Sequence, residues 1–569
     1  MGASVFRYCG RLIEAAWLVT VVVIPMLYDP FGTAGFDPIK IVTLRALGLV
    51  VAMALAVEIA VGWRRVEWRW PFWSCAVGLL ALSLVVSSIF SINPARSWWG
   101  SEQHLQGAWT GLCVMALFVG IATHLRTMSQ VERLVTVTLA ATVPVTVCAV
   151  LQGVGFDPVG VGSLGGGAYA FAGHPIYLAG YVGMLIPLAI WQLWRLGAGG
   201  GHVQNHRWMP WAGVLLLLVI ALILTGKRGP VVAVIGGGTI GLFLLAARTQ
   251  RVRLAAWGVG ILGGGAAFFM LLAVLVTVKV PVAEIPVVGR FARIVPVGSG
   301  TGDFFRSSIW SAAPPLVTGE KAVIFPDGSV DALAAARPWV GFGSETLQQV
   351  LPQSWLFLTG GPLVPHESWF HNGFWDGWQS LGLLGVAAGL LLCFALFRLG
   401  MQTSGMSVAA RRWEFAGWTL AGGALGAGLM GTVFGAAYVG MGFPLGLLGG
   451  MVVGAVWGSF RKRRGGVSTL TAKEGLSLAL LSGLAIHWVD LVFAFPTAQT
   501  LTMFWVLAGS LIALQKVNWV ERWEDPMADS GGPGMLAGVL SGLILITMVN
   551  GFFDLVFVGP KSGWGVLGE

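Results

Sequence analysis

The chain has 569 residues, 56% of them hydrophobic and only 10% charged, with a mean hydropathy of +0.80. A soluble domain carries about 25% charged residues, so a water-soluble fold is excluded and the chain reads as a polytopic membrane protein. The net charge of +9 accompanies no basic, aromatic-laced soluble segment, which argues against a nucleic-acid partner.

Apolar windows of about 17–25 residues are long enough to cross a bilayer, and only helices suit them because lipid offers the backbone no partners. In chain order they lie at 12–28, 40–62, 71–91, 107–124, 134–154, 176–194, 209–226, 229–247, 254–278, 373–397, 414–437, 441–460, 474–494, 499–515 and 535–557. They predict an all-α, polytopic transmembrane helix bundle of 12–15 spans. The first window follows Arg7 and Arg11 like a signal sequence, but no small-residue cleavage site appears near Pro25–Pro30, so it reads as an uncleaved helix. Arg64, Arg65 and Arg69, then Arg126 and Arg133, Arg195 and Arg207, Arg248 to Arg253, Arg398 to Arg412, and Arg461 to Arg464 fall on one side of this topology. The positive-inside rule makes that side, with the N-terminus, cytoplasmic. Segments 92–106, 155–175, 226–229 and 280–370 then face outward. Three regions result: an N-terminal membrane block at 1–279, an extracytoplasmic loop with short helices at 280–370, and a C-terminal membrane block at 371–569. Within the loop, DFFRSSIWSAAPPL reads as an amphipathic helix that Pro314 and Pro315 end.

The five cysteines, Cys9, Cys75, Cys113, Cys148 and Cys393, form no CxxC or Cys/His cluster, and so neither a disulfide framework nor a zinc site. Reactive side chains gather instead at the outer face. Arg228 stands with Lys227 in LTGKRGP, between two apolar windows. An arginine there is either a snorkelling charge at a tight turn or an anion site, since its planar fork suits phosphate oxygens. Arg306 precedes Trp310 by one helical turn. Alone it is an ordinary loop arginine; with Arg228 it could hold a diphosphate and stabilise it as it departs. His371, followed by Asn372, marks the return to the membrane. It is either a satisfied interfacial histidine or a base for a hydroxyl nucleophile, with His366 and Glu367 as close competitors. Lys227, Arg337, Asn372, Trp310, His366 and Glu367 are the candidates for contact with substrate, and no metal pattern emerges. His487, Asp490 and Asp554 lie inside apolar windows. They read as interhelical polar pairing or as a proton relay.

Several of these motifs, in this order, resemble the O-antigen ligase and O-antigen polymerase superfamily of bacterial membrane glycosyltransferases, which includes protein O-oligosaccharyltransferases. The matching elements are LTGKRG with Arg228 and Gly229, and RSSIW with Arg306 and Trp310. Next comes PWVGFGSETL (338–347), where Leu347 stands for the usual aromatic, and then His371–Asn372 with Gly382 and Gly385 at 11 and 14 residues on. RSWWGSEQHLQGAWT (96–110) is similar to the family's outer-loop WG…QG element. FAGHPIYLAGYVGMLIPL (171–188) is similar to its GNPN-type element, with His174 in place of asparagine. The resemblance covers roughly 90–400, with a ligase-like core at about 209–397.

The resemblance implies a GT-C-like fold in the bacterial inner membrane and a glycan donor linked to undecaprenyl diphosphate. It implies metal-independent, cofactor-free transfer with inversion on the outer side. The acceptor would be lipid A-core, as in lipopolysaccharide assembly, a growing polysaccharide, or a protein. His371 would be the general base, and Arg228 and Arg306 would stabilise the diphosphate. Two readings of other classes stand beside it: a secondary transporter, which His487, Asp490 and Asp554 would serve, and a non-catalytic membrane scaffold.

Overall fold

Apolar sequence in long windows leaves the backbone to satisfy its own polar groups, and the chain does so almost entirely through helices. The computed structural model describes residues 2–29, 36–62, 71–160, 166–198, 206–278, 280, 301–320, 322–325, 328–351, 368–406, 412–461 and 469–517. Among these residues there is no strand, only an isolated antiparallel bridge between Ile324 and Val330.

The helices are α1 (Gly2–Met26), α2 (Asp37–Gly62), α3 (Phe72–Ile89), the short α4 (Pro94–Trp99), α5 (Ala108–His124), α6 (Met128–Gly153), α7 (Pro175–Ala198), α8 (Met209–Leu224), α9 (Arg228–Thr249) and α10 (Val252–Thr277). Between α10 and the next long helix come α11 (Thr301–Val317) and α12 (Arg337–Val340). Then follow α13 (Gly373–Thr403), α14 (Arg412–Phe434), α15 (Val439–Arg461), α16 (Ala472–Asp490) and α17 (Ala498–Ala513). Ten helices among the described residues are long and apolar enough to cross a membrane, which makes this a multi-pass membrane protein. The expected count was higher. The windows at 107–124 and 499–515 form shorter apolar helices, and the window at 535–557 lies outside the described residues.

The windows at 414–437 and 474–494 form α14 and α16, long enough to cross a membrane but not among the ten that are also apolar enough. α16 is buried without interruption from Gly475 to His487 and packs against α7 and α9. Covered by protein, it is a central element of the bundle. One apolar core includes Trp17, Phe118, Tyr181, Phe397, Leu481 and Leu507. The two membrane blocks of the sequence therefore share a single core. α14 and α15 meet backbone to backbone: a Cβ at Gly426 would stand 2.2 Å from the carbonyl oxygen of Gly442. Small residues permit that approach, as in other helix pairs in lipid. At the arginine-rich helix ends, Arg133 pairs with Glu14 (3.1 Å), Arg195 with Glu132 (2.5 Å) and Arg248 with Glu474 (2.6 Å).

A second core joins the segment that carries α11 and α12 to the start of α13. It contains Ile309, Trp310, Leu316, Phe342, Leu347, Phe370 and Trp375. Pro314 and Pro315 do not end α11, which continues to Val317. Only one further turn is required there. The Thr318 N–H and hydroxyl both donate to the Pro314 carbonyl, at 3.0 and 2.8 Å, and close the helix end.

Candidate functional site

Asn372 is the N-cap of α13, and its side chain explains why the chain turns there. Oδ1 accepts the N–H groups of Phe374 and Trp375, both at 3.2 Å, and Nδ2 donates to Val492 O at 3.0 Å. Side-chain oxygens at this position satisfy donors that no helical carbonyl can reach. Asp376, one turn on, accepts from Phe370 N (2.5 Å) and Asn372 N (3.1 Å). His371 lies between these two bonds, half-buried, with φ +56°. That left-handed backbone is uncommon for a residue with a Cβ, and the flanking bonds hold it. Asn372, expected to touch substrate, is fully buried and shapes the turn instead.

Gly382 and Gly385, which follow His371 at fixed spacing, mark a kink in α13. Gly382 has φ +66°, and a Cβ there would lie 2.2 Å from the Trp339 carbonyl. The kink frees two carbonyls. Gln379 O accepts from Phe342 N at 2.8 Å, and Ser380 O from Gly343 N at 3.0 Å. Trp378 Nε1 donates to Pro338 O at 3.0 Å. PWVGFG and the His371 helix are thus one docked unit. Leu347 is fully buried in the second core. Glu345, just after PWVGFG, is also buried with φ +56°. Its carboxylate accepts the N–H of Ser101 and that of Gln106 (2.6 Å), and its carbonyl accepts from Arg96 Nε at 2.7 Å. So the stretch 96–106 is folded around Glu345.

These pieces meet at the segment 491–496 that follows α16. Leu491 O accepts from Gly373 N at 2.7 Å, and Pro496 O accepts from Gln106 Nε2 at 2.9 Å. The Phe495 ring touches Trp369 (5.3 Å, stacked at 8°), His371 (5.2 Å), Tyr177 (5.6 Å) and His104 (5.8 Å). A Cβ at Gly229, beside Arg228, would stand 3.7 Å from the Phe493 Cβ. This brings the start of α9 to the same segment. Lys227 and His371 both act electrostatically on His174, at the start of α7. Arg306 acts likewise on Asp490, the last residue of α16. Thus Lys227, Arg228, Arg306 and His371 stand around one segment, although they come from three separate stretches of chain.

Not every expected residue is available to a substrate. Arg337 is buried at 3% exposure and bidentate to Asp331 (2.6 and 3.0 Å), and it also donates to Phe90 O and Gly341 O. With its donors taken inside the fold, it holds the loop and is not a substrate ligand. Trp310 is buried too; its Nε1 donates to Phe370 O at 2.8 Å. His366 and Glu367 lie outside the described residues. His487 is buried inside α16 with its ring on Phe504 (5.4 Å), and Asp554 lies outside the described residues.

The sequence reading missed Phe495, Trp369 and His104. Burial opposes charge on His104, but Asp37, at 3.5 Å, and Glu345 outweigh it and raise its proton affinity. Trp369 presents a ring face, and its buried Nε1 has no partner among the described residues. The one cue for the hub was FAFP directly after His487 and Asp490, and an aromatic run beside an apolar window looks like ordinary membrane-interface sequence. The site gathers a histidine in a constrained corner, aromatic rings and several cations at one end of the bundle. Comparison of the chain with family models, with curated proteins and with solved structures finds no match in any of the three.

Proposed function

We propose that this protein is an O-antigen ligase-like membrane glycosyltransferase. It moves a glycan from undecaprenyl diphosphate to an acceptor hydroxyl on the outer side of the bacterial inner membrane. The observation that supports this most is the meeting of His371 with Lys227, Arg228 and Arg306 around residues 491–496. A glycan transfer of this kind needs a base at the hydroxyl and cations at the leaving diphosphate. His371 takes the proton as the acceptor oxygen bonds to the anomeric carbon. The bond from that carbon to the diphosphate oxygen breaks, and the electron pair leaves with the diphosphate, where the guanidinium forks oppose its charge. Attack opposite the leaving group inverts the anomeric centre. Trp369 supplies a ring face and a free N–H beside His371, both of which suit a sugar. A polymerase or a protein O-oligosaccharyltransferase would use the same chemistry on another hydroxyl.

The test is transfer by purified protein from a defined lipid-linked donor to lipid A-core, glycan or peptide acceptors. His371→Ala is expected to lose about 100- to 10,000-fold in rate, the usual cost of removing a general base, with donor binding kept. Arg306→Lys also fails, because an ammonium keeps the charge without the fork. His366→Ala retains much of the activity. Wild-type protein inert toward all three acceptors, or His371→Ala active at a near wild-type rate, would overturn the reading. The buried His487 and Asp490 of α16 favour a secondary transporter as the second reading, which proton-coupled uptake into proteoliposomes would reveal.

A further inference from the structure

His174 follows Gly173, whose φ is +79°, and directly precedes α7. Its Nδ1 accepts the backbone N–H of Ile176 at 3.2 Å. A ring nitrogen that accepts a hydrogen bond carries no proton, so the neutral ring must carry its proton on Nε2. The ring is half-buried and packs on Tyr177 at 5.2 Å. Burial, and then the charges of Lys227 and His371, push its pKa down to about 4. Among the described residues no protein group accepts from Nε2. The arrangement is therefore an uncharged N–H of set direction, within electrostatic reach of the Lys227 ammonium and of the residue assigned as base.

We propose that His174 is a further substrate-binding residue, whose Nε2–H donates to an oxygen of the diphosphate held beside Lys227. This rests on the glycan-transfer reading and adds a residue to its site. The choice of a neutral donor has a physical reason. A third cation within electrostatic reach of Lys227 and His371 would oppose the positive charge that His371 acquires when it takes the acceptor proton. A neutral N–H binds a phosphate oxygen without that penalty.

The test has a binding arm and a spectroscopic arm. Undecaprenyl diphosphate and inorganic pyrophosphate are titrated into the full-length protein in nanodiscs, which separates lipid recognition from recognition of the anion. His174→Leu is expected to weaken undecaprenyl diphosphate by about 10- to 100-fold, as loss of one hydrogen bond to a charged group does. His174→Asn, which keeps an N–H donor, is expected to recover to within about fivefold of the wild type. A merely structural histidine would not make affinity follow the donor in this way; thermal unfolding of both variants confirms that they fold. In ¹⁵N-histidine spectra of the wild type, one ring is expected to remain the neutral Nε2–H form from pH 8 to about pH 5, and its signal to vanish in His174→Asn. Wild-type affinity in His174→Leu, an Nδ1–H ring, or a ring that becomes cationic above about pH 6 would each overturn the proposal. If the wild type binds neither probe, the glycan-transfer reading falls and this proposal with it. If it binds and His174→Leu binds equally well, only the donor role of His174 falls.

Discussion

Trp310 Nε1 donates to the carbonyl oxygen of Phe370 at 2.8 Å. Through this bond α11, which carries Arg306, is tied to the residue immediately before His371. Trp310 also packs edge-on against Tyr438 at 5.7 Å. The arginine-to-tryptophan spacing is thus a device for setting one site residue against another: the tryptophan holds the chain, and the arginine one turn away is placed by it.

Trp310→Phe keeps most of the packing and leaves a buried carbonyl without its donor. The expected cost is about 1–3 kcal/mol of stability. Transfer should fall more than donor binding, because the loss disturbs the position of His371. Thermal unfolding and a separation of kcat from KM check this; an unchanged kcat would show that the bond does not position the site.

Asp376 accepts from the N–H groups on both sides of His371. Asp376→Asn retains one acceptor oxygen and loses the negative charge. The corner at His371 should loosen, with kcat reduced by at least about tenfold, the equivalent of some 1.4 kcal/mol, and donor affinity close to wild type. Equal losses in both quantities would mean that Asp376 serves the fold alone.

Gly382→Ala should be among the most damaging single changes in the chain. Left-handed backbone costs a residue with a Cβ about 1–2 kcal/mol. The added carbon would also lie 2.2 Å from the Trp339 carbonyl, and overpacking of that kind adds about 1–3 kcal/mol. The expected outcome is poor yield and early unfolding in detergent. Gly389→Ala, on the same helix with open space around its Cβ position, should be nearly silent.

Asp331 and Arg337 form a buried pair in the segment between α11 and α13. Burial pushes the Asp331 carboxyl up, but the Arg337 bonds and the Leu333 N–H outweigh it and hold it below the usual carboxylate value. A depressed folded value means that the pair's stabilisation is fully present above the unfolded pKa of about 4 and is lost as pH falls through the folded one. Wild-type protein should therefore lose stability below about pH 4, and Asp331→Ala should lack that part of the slope. At neutral pH the variant leaves Arg337 buried and unpaired, a loss of about 3–5 kcal/mol. Unfolding midpoints measured against pH test both statements.

Transfer is expected to proceed in EDTA. On the glycan-transfer reading, the charge of a departing diphosphate is met by Lys227, Arg228 and Arg306. Both oxygens of Asp376, a carboxylate close to His371, already accept backbone N–H groups. Full loss of activity in EDTA, with recovery on magnesium or manganese, would require a metal-binding carboxylate set and would overturn this assignment.

Much of this protein is legible in its sequence because hydropathy is a local quantity. Whether a window of some twenty residues belongs in lipid is decided by its own side chains, so the helices of the bundle could be placed from composition alone. The residue types that the glycan-transfer reading uses, a histidine and several cations, were legible in the same way, as polar residues beside apolar windows. Partnership is not local. Arg337 looked as available as Arg306 until the fold closed Asp331 upon it. Asn372 looked like a substrate ligand until its amide was found holding the turn. The glycines after His371 were a spacing with no cause until Trp339 was found pressed against Gly382. Phe495, the ring on which His104, Tyr177, Trp369 and His371 converge, was marked in the sequence only by an aromatic run that looks like ordinary membrane-interface sequence. A buried polar group must find a partner wherever the chain supplies one, and which segments meet to supply it is decided by the packing of the whole bundle.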